Sequence, residues 1–150
     1  MNNEKDNVYD LVEDFYAHDE GWNTLLRQEY AEGFLRMEAW KGKKNSDLYR
    51  SWDNLTMLCL YLGSAETFLG DMNADDFIDC ISWFGRNISE FTPDYKNTQD
   101  FLETCDGLFK YLKGKNAISN DTVPATAAEI LLQEGKMNII LPDGSFDEAN

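Results

Sequence analysis

The feature that most constrains this chain is the spacing of its apolar residues. Phe101, Leu102, Cys105, Leu108, Phe109 and Leu112 recur at intervals of three and four, which places them on one face of an α-helix. Val8, Leu11, Val12, Phe15 and Tyr16 repeat the pattern near the start, and Leu48, Tyr49, Trp52, Leu55, Cys59 and Leu62 repeat it in the middle. A chain written in this period has to bury its stripes against one another, so it folds as packed helices or not at all.

Punctuation residues suggest where the helices end. Gly21 separates the first stripe from a second one, Leu25, Leu26, Tyr30, Phe34, Leu35 and Met37, which runs to about Trp40 with Gly33 inside it. Ser46 is a candidate N-cap for the next helix, and Gly63 its expected stop. Asn73 opens a shorter helix carrying Phe77, Ile78, Ile81 and Phe84, expected to end at Gly85. Thr92 and Pro93 then read as cap and first turn of the strongest stripe, which Gly114 closes. Pro124 begins a last helix reaching Gly135. After it Met137, Ile139 and Leu141 alternate ahead of Pro142-Asp143-Gly144, the signature of a short strand or hairpin over 136–146.

Bulk properties fit a packed domain. The 150 residues are 43% hydrophobic and 13% aromatic, too apolar for a disordered chain. Thirteen basic residues against 28 acidic ones give a formal charge of −15. The excess is spread evenly, seven basic against fifteen acidic in residues 1–75 and six against thirteen in 76–150. An acidic surface of this kind repels nucleic acid and anionic membrane at long range. No apolar run approaches the roughly 18 residues that span a bilayer, and the polar start lacks the apolar stretch of a secretion signal. Three cysteines, Cys59, Cys80 and Cys105, each fall within a helical stripe, so buried free thiols in a reducing cytoplasm are the expectation.

Few patterns carry chemistry. Asp71, Asn73 and Asp75 alternate as a calcium loop begins, but such a loop needs glycine at its sixth position and glutamate at its twelfth. Counting from Asp71, those positions hold Asp76 and Ser82, so Asn73 reads instead as a helix cap. His18 is the only histidine, beside Asp19 and Glu20, and no second histidine completes a zinc site. The cysteines lie on core stripes, no G-x-S-x-G elbow occurs, and the Lys-Gly-Lys scraps at 41–44 and 113–115 lack a phosphate-loop frame. With 28 acids, carboxylate pairs arise by accident and point nowhere. The expectation is a protein that is not an enzyme, with no catalytic residues, metal or cofactor.

What remains is an interaction surface. Lys41, Lys43, Lys44 and Arg50 gather around one helix junction, and Lys110, Lys113 and Lys115 gather at one helix end. Lysines at a helix C-terminus ordinarily complement its dipole; if the two groups converge they form a basic patch on an acidic body. Among the tryptophans, Trp22, Trp52 and Trp83 sit at core spacing. Trp40 adjoins the lysine-rich connection and is the one expected to be exposed, as a contact anchor.

Residues 48–125 resemble the helical core-binding domain of tyrosine recombinases. "LYRSWDNLTMLCLYLG" stands where that family has its first long helix, "MNADDFIDCISWF" where its second falls, and "NTQDFLETCDGLFKYLKGKNAISNDTVPA" is similar to its last helix and exit. The resemblance implies a helical arrangement that clamps DNA, while cleavage belongs to a separate domain that no stretch of this chain matches. The family's domains contact phosphates through many lysines and arginines, and here acids outnumber bases about two to one.

The sequence therefore predicts one mainly α-helical domain over 1–150, a bundle of about six helices ending in a short strand or hairpin. The functional expectation is a non-catalytic, acidic, cytoplasmic interaction or regulatory protein that binds a protein partner or itself. Its contact surface would be the Trp40–Lys44 region together with the C-terminal strand edge. Two alternatives stand beside it: a nucleic-acid-associated helical domain, and an acidic mimic of DNA that binds a basic protein.

Overall fold

The structure, a computed structural model, describes residues 4–18, 21–88, 91, 95–133, 139–140 and 146–147. It is mainly α-helical. The helices are α1 (Glu4–His18), the single turn α2 (Trp22–Leu25), α3 (Gln28–Trp40), α4 (Asn45–Ala65), α5 (Ala74–Asn87), α6 (Tyr95–Gly114) and α7 (Val123–Gln133). A 3-10 turn, Leu69–Asp71, lies ahead of α5. No helix among the described residues is long and apolar enough to cross a membrane. The strand or hairpin expected over 136–146 lies outside the described residues apart from two short segments, Ile139–Ile140 and Phe146–Asp147. The chain forms two compact units, Met1–Leu69 and Gly70–Asn150.

In the first unit α1, α3 and α4 pack on one another, with α2 against α4. The stripes meet as their spacing requires: Val8, Val12 and Tyr16 from α1, Phe34 and Leu35 from α3, and Leu48, Trp52, Leu55 and Leu62 from α4 are all buried. Leu11 departs from the expected face and is 45% exposed. Aromatic rings lock the corner between α1 and α4. Phe15 stacks on Trp22 at 5.2 Å and meets Trp52 edge-on at 5.3 Å, both favoured geometries.

Three expected boundaries of the first unit are corrected. The stripe from Leu25 to Trp40 is broken, because Leu26 and Arg27 are extended and α3 starts only at Gln28. The cap position of α4 is Lys44, with Ser46 already inside the helix. Gly63 does not stop α4, which continues to Ala65 and closes on Glu66 in the left-handed region (φ 54°). A Cβ on Gly63 would lie 3.4 Å from the Trp22 ring, in ordinary van der Waals contact, so this glycine sits inside α4 where α2 packs on it.

In the second unit α7 packs on both α5 and α6. Its core is aromatic. Phe84 meets Phe101 edge-on at 4.9 Å and Phe91 at 5.5 Å, and Phe77 meets Phe109 at 5.4 Å. Gly85 likewise does not end its helix, since α5 runs on to Asn87. Thr92 and Pro93 lie outside the described residues. Gly114 does end α6, and Asn116, in the left-handed region, turns the chain toward α7.

Candidate functional site

The junction between α3 and α4 presents the most exposed large hydrophobic side chain among the described residues. Trp40, the last residue of α3, is 89% exposed. The helix ends here because Lys41 leaves helical geometry and Gly42 takes φ +89°, a conformation open to glycine and strained for other residues. Lys43 then folds back on both helices, its Nζ lying 3.6 Å from Glu38 Oε2 and 3.4 Å from Ser51 Oγ. Lys41 and Lys44 are exposed on either side of it.

Beside Trp40 a shallow surface groove of about 340 Å³ is lined by Tyr9, Arg36, Ala39 and Trp40 itself. The Arg36 guanidinium lies over the Tyr9 ring, 4.3 Å from its centroid, and so ties α3 to α1. The result is an indole standing out from a small aromatic and cationic surface. It offers apolar area and positive charge, and among the described residues no nucleophile or general base lines the groove.

Trp40, Lys41, Lys43 and Lys44 are adjacent at this junction, and Arg50 is exposed further along α4. Lys110, Lys113 and Lys115 belong to the second unit, at the end of α6. All three have local partners. Lys110 Nζ donates to Asp106 Oδ2 at 2.6 Å, which raises the lysine's pKa through that hydrogen bond and its charge. Lys113 lies 3.7 Å from Asp121 Oδ1, and the Lys115 ammonium sits 5.6 Å from the Tyr111 ring centroid.

The other sequence candidates resolve into structural roles. Asn73 Oδ1 accepts from the Asp76 N–H, and Asp76 Oδ2 accepts from the Asn73 N–H, both at 2.9 Å. This capping box satisfies two backbone donors at the start of α5 and engages the Asn73 side-chain oxygen, which a calcium loop would have needed free. Among the described residues, no group of three or more histidine, cysteine or acidic side chains is placed to hold a metal ion. His18 lies in the last turn of α1, exposed, with Nε2 3.6 Å from Asp14 Oδ1.

All three cysteines are free and buried. Burial pushes the Cys59 thiol up from the ordinary 9.0 to about 12, a shift the adjoining Tyr16 only partly offsets. Burial, helped by the neighbouring Cys105 and Asp79, holds Cys80 well above its ordinary value. Tyr16 is raised by burial and by Cys59, its hydroxyl having no oxygen or nitrogen partner. Groups that hold their protons this firmly are poor nucleophiles at neutral pH.

The expected exposure of Trp40 is observed, while the Arg36–Tyr9 pair, which depends on how α1 and α3 cross, was not singled out from the sequence. No protein-family model, curated protein or solved structure matches the chain.

Proposed function

We propose that the chain is a non-catalytic interaction module that contacts a protein partner through the Trp40–Lys44 surface. The observation that carries this reading is the 89% exposure of Trp40 on a chain whose other described tryptophans are buried or half-buried. Exposing an indole to water forgoes roughly 2–3 kcal/mol of apolar burial, a cost that contact with another surface recovers. The flanking lysines suit a partner that is acidic where it meets the indole. Buried free thiols suit a reducing compartment such as the cytoplasm.

The segment from Lys136 onward is the second element of the reading. The alternation of Met137, Ile139 and Leu141 suits a strand edge that pairs with a partner or with a second copy of the chain. The nucleic-acid reading is weaker, because Lys110 and Lys113 are paired with carboxylates and the chain as a whole repels phosphate.

The test compares proteins captured from the source cell by the wild type, Trp40→Ala and Leu60→Ala, the last removing a different exposed apolar side chain. Proteins retained by wild type and Leu60→Ala and lost by Trp40→Ala support the reading. Identical capture by all three removes it. Deleting Lys136–Asn150 tests the strand edge separately: unchanged capture together with a strict monomer in sedimentation ends that element.

A further inference from the structure

A second surface, independent of Trp40, lies in the other unit. Along the contact of α6 with α7 runs a groove of about 380 Å³. Its floor and one wall are apolar: Leu102 and Pro124 are buried, Ala128 is half-buried, and Leu132 is 56% exposed. The small side chains of Ala125 and Ala128 keep it open where larger ones would fill it. Ala125, Ala128 and Leu132 recur at the spacing of one helix face, and Gln99, Leu102 and Asp106 do the same on α6, so the groove follows two helical turns, about 10 Å.

The rim is acidic. Glu103, Asp106 and Glu129 line it, and among the described residues no lysine or arginine does. Among the described residues Glu103 and Glu129 accept from the neutral amides of Gln99 and Gln133, at 3.1 and 3.3 Å, and pair with no cation. Asp106 gives Oδ2 to Lys110, while its buried Oδ1 has no hydrogen-bond partner. A buried acceptor without a donor is unfavourable.

We infer that this groove receives a basic amphipathic helix of a partner protein. The apolar floor takes side chains spaced three and four apart, and the rim carboxylates take lysines or arginines flanking that stripe. Charge complementarity selects this occupant over an acidic segment, which Glu103 and Glu129 would repel.

Three labelled 18-residue peptides serve as probes: a leucine–lysine amphipathic helix, its leucine–glutamate counterpart, and a scramble of the first with the same composition but no apolar stripe. Anisotropy gives affinity, and amide shifts of the full-length protein give the location. The expected result is binding of the leucine–lysine helix alone, with shifts centred on Leu102, Ala128 and Leu132. Leu132→Asp should abolish it, and Glu103→Lys with Glu129→Lys should weaken it about tenfold, corresponding to ~1.4 kcal/mol. Leu132, Glu103 and Glu129 are all at the surface, and retained circular dichroism confirms that the variants fold. Equal binding of the scrambled peptide would reduce the effect to net charge and overturn the inference. So would shifts confined to other helices, or self-association lost in Leu132→Asp, which would assign the groove to a second copy of the chain.

Discussion

Arg36 and Tyr9, 27 positions apart in sequence, meet with the guanidinium 4.3 Å from the ring centroid and form the base on which Trp40 stands. The pair is half-exposed: Tyr9 is partly covered and Arg36 is open to solvent. Arg36→Ala should therefore lower stability by only about 0.5–1 kcal/mol in urea unfolding, with a matching loss of affinity for any partner held by Trp40.

Trp40 itself should matter for contact and hardly at all for folding. With 89% of its surface exposed, Trp40→Ala should shift stability by no more than about 0.5 kcal/mol. Trp52→Ala, which removes a buried ring packed on Phe15, should cost about 3–5 kcal/mol. Tryptophan fluorescence offers a second check, since Trp40→Phe should move the emission toward shorter wavelength by removing the indole most exposed to water.

The aromatic core of the second unit turns on Phe101, wedged edge-on against Phe84 at 4.9 Å and near Phe77. Phe101→Ala should destabilise by about 3–5 kcal/mol, whereas Phe101→Leu, which keeps most of the volume, should cost about half as much or less. Thermal unfolding followed by circular dichroism measures both.

The capping box at α5 predicts a graded series. Asn73→Ala should cost about 1 kcal/mol, Asn73→Asp should be close to neutral, and Asn73→Gly should cost a few tenths. Added calcium should leave the melting temperature unchanged, since Asn73 Oδ1, at the third position of the would-be loop, is committed to the Asp76 N–H.

Stability should fall on the alkaline side. Cys59, Cys80 and Tyr16 all have folded pKa values above their ordinary ones, each chiefly through burial. Below the ordinary thiol value of 9.0 these groups are protonated in both states, and the linkage leaves stability intact. As pH rises past 9.0, the unfolded chain releases thiol protons that the folded chain retains. Each such thiol then removes up to about 1.4 kcal/mol per pH unit. For Cys59 the loss continues until the folded value of about 12. Melting temperatures between pH 7 and 11 should show a plateau and then a decline, and Cys59→Ala should flatten the decline. A thiol reagent at pH 8 should label the three cysteines only as fast as the protein opens.

Much of the fold was legible because burial follows the helical period: the stripes of α4 and α6 are buried almost residue for residue where the spacing puts them. Boundaries were less legible. Gly63 and Gly85 read as stops, yet both lie inside helices, whose packing carries them past a residue of low helix propensity in a way that spacing alone does not encode. Leu26 kept the apolar rhythm through a break in the backbone and so concealed it. Of the surface residues, Trp40 was legible from its polar neighbours. The pairing of Lys110 and Lys113 with Asp106 and Asp121 was half visible: Asp106 is one turn from Lys110, but Asp121 reaches Lys113 only because the chain turns back after Gly114.

The most direct test places a photo-crosslinking amino acid at position 40 of the full chain in its source cell, and at exposed Ser64 of α4 as the reference. A discrete heavier adduct from position 40, absent from position 64, is the predicted result. No adduct at position 40, or the same adducts from both positions, would contradict an interaction surface centred on Trp40.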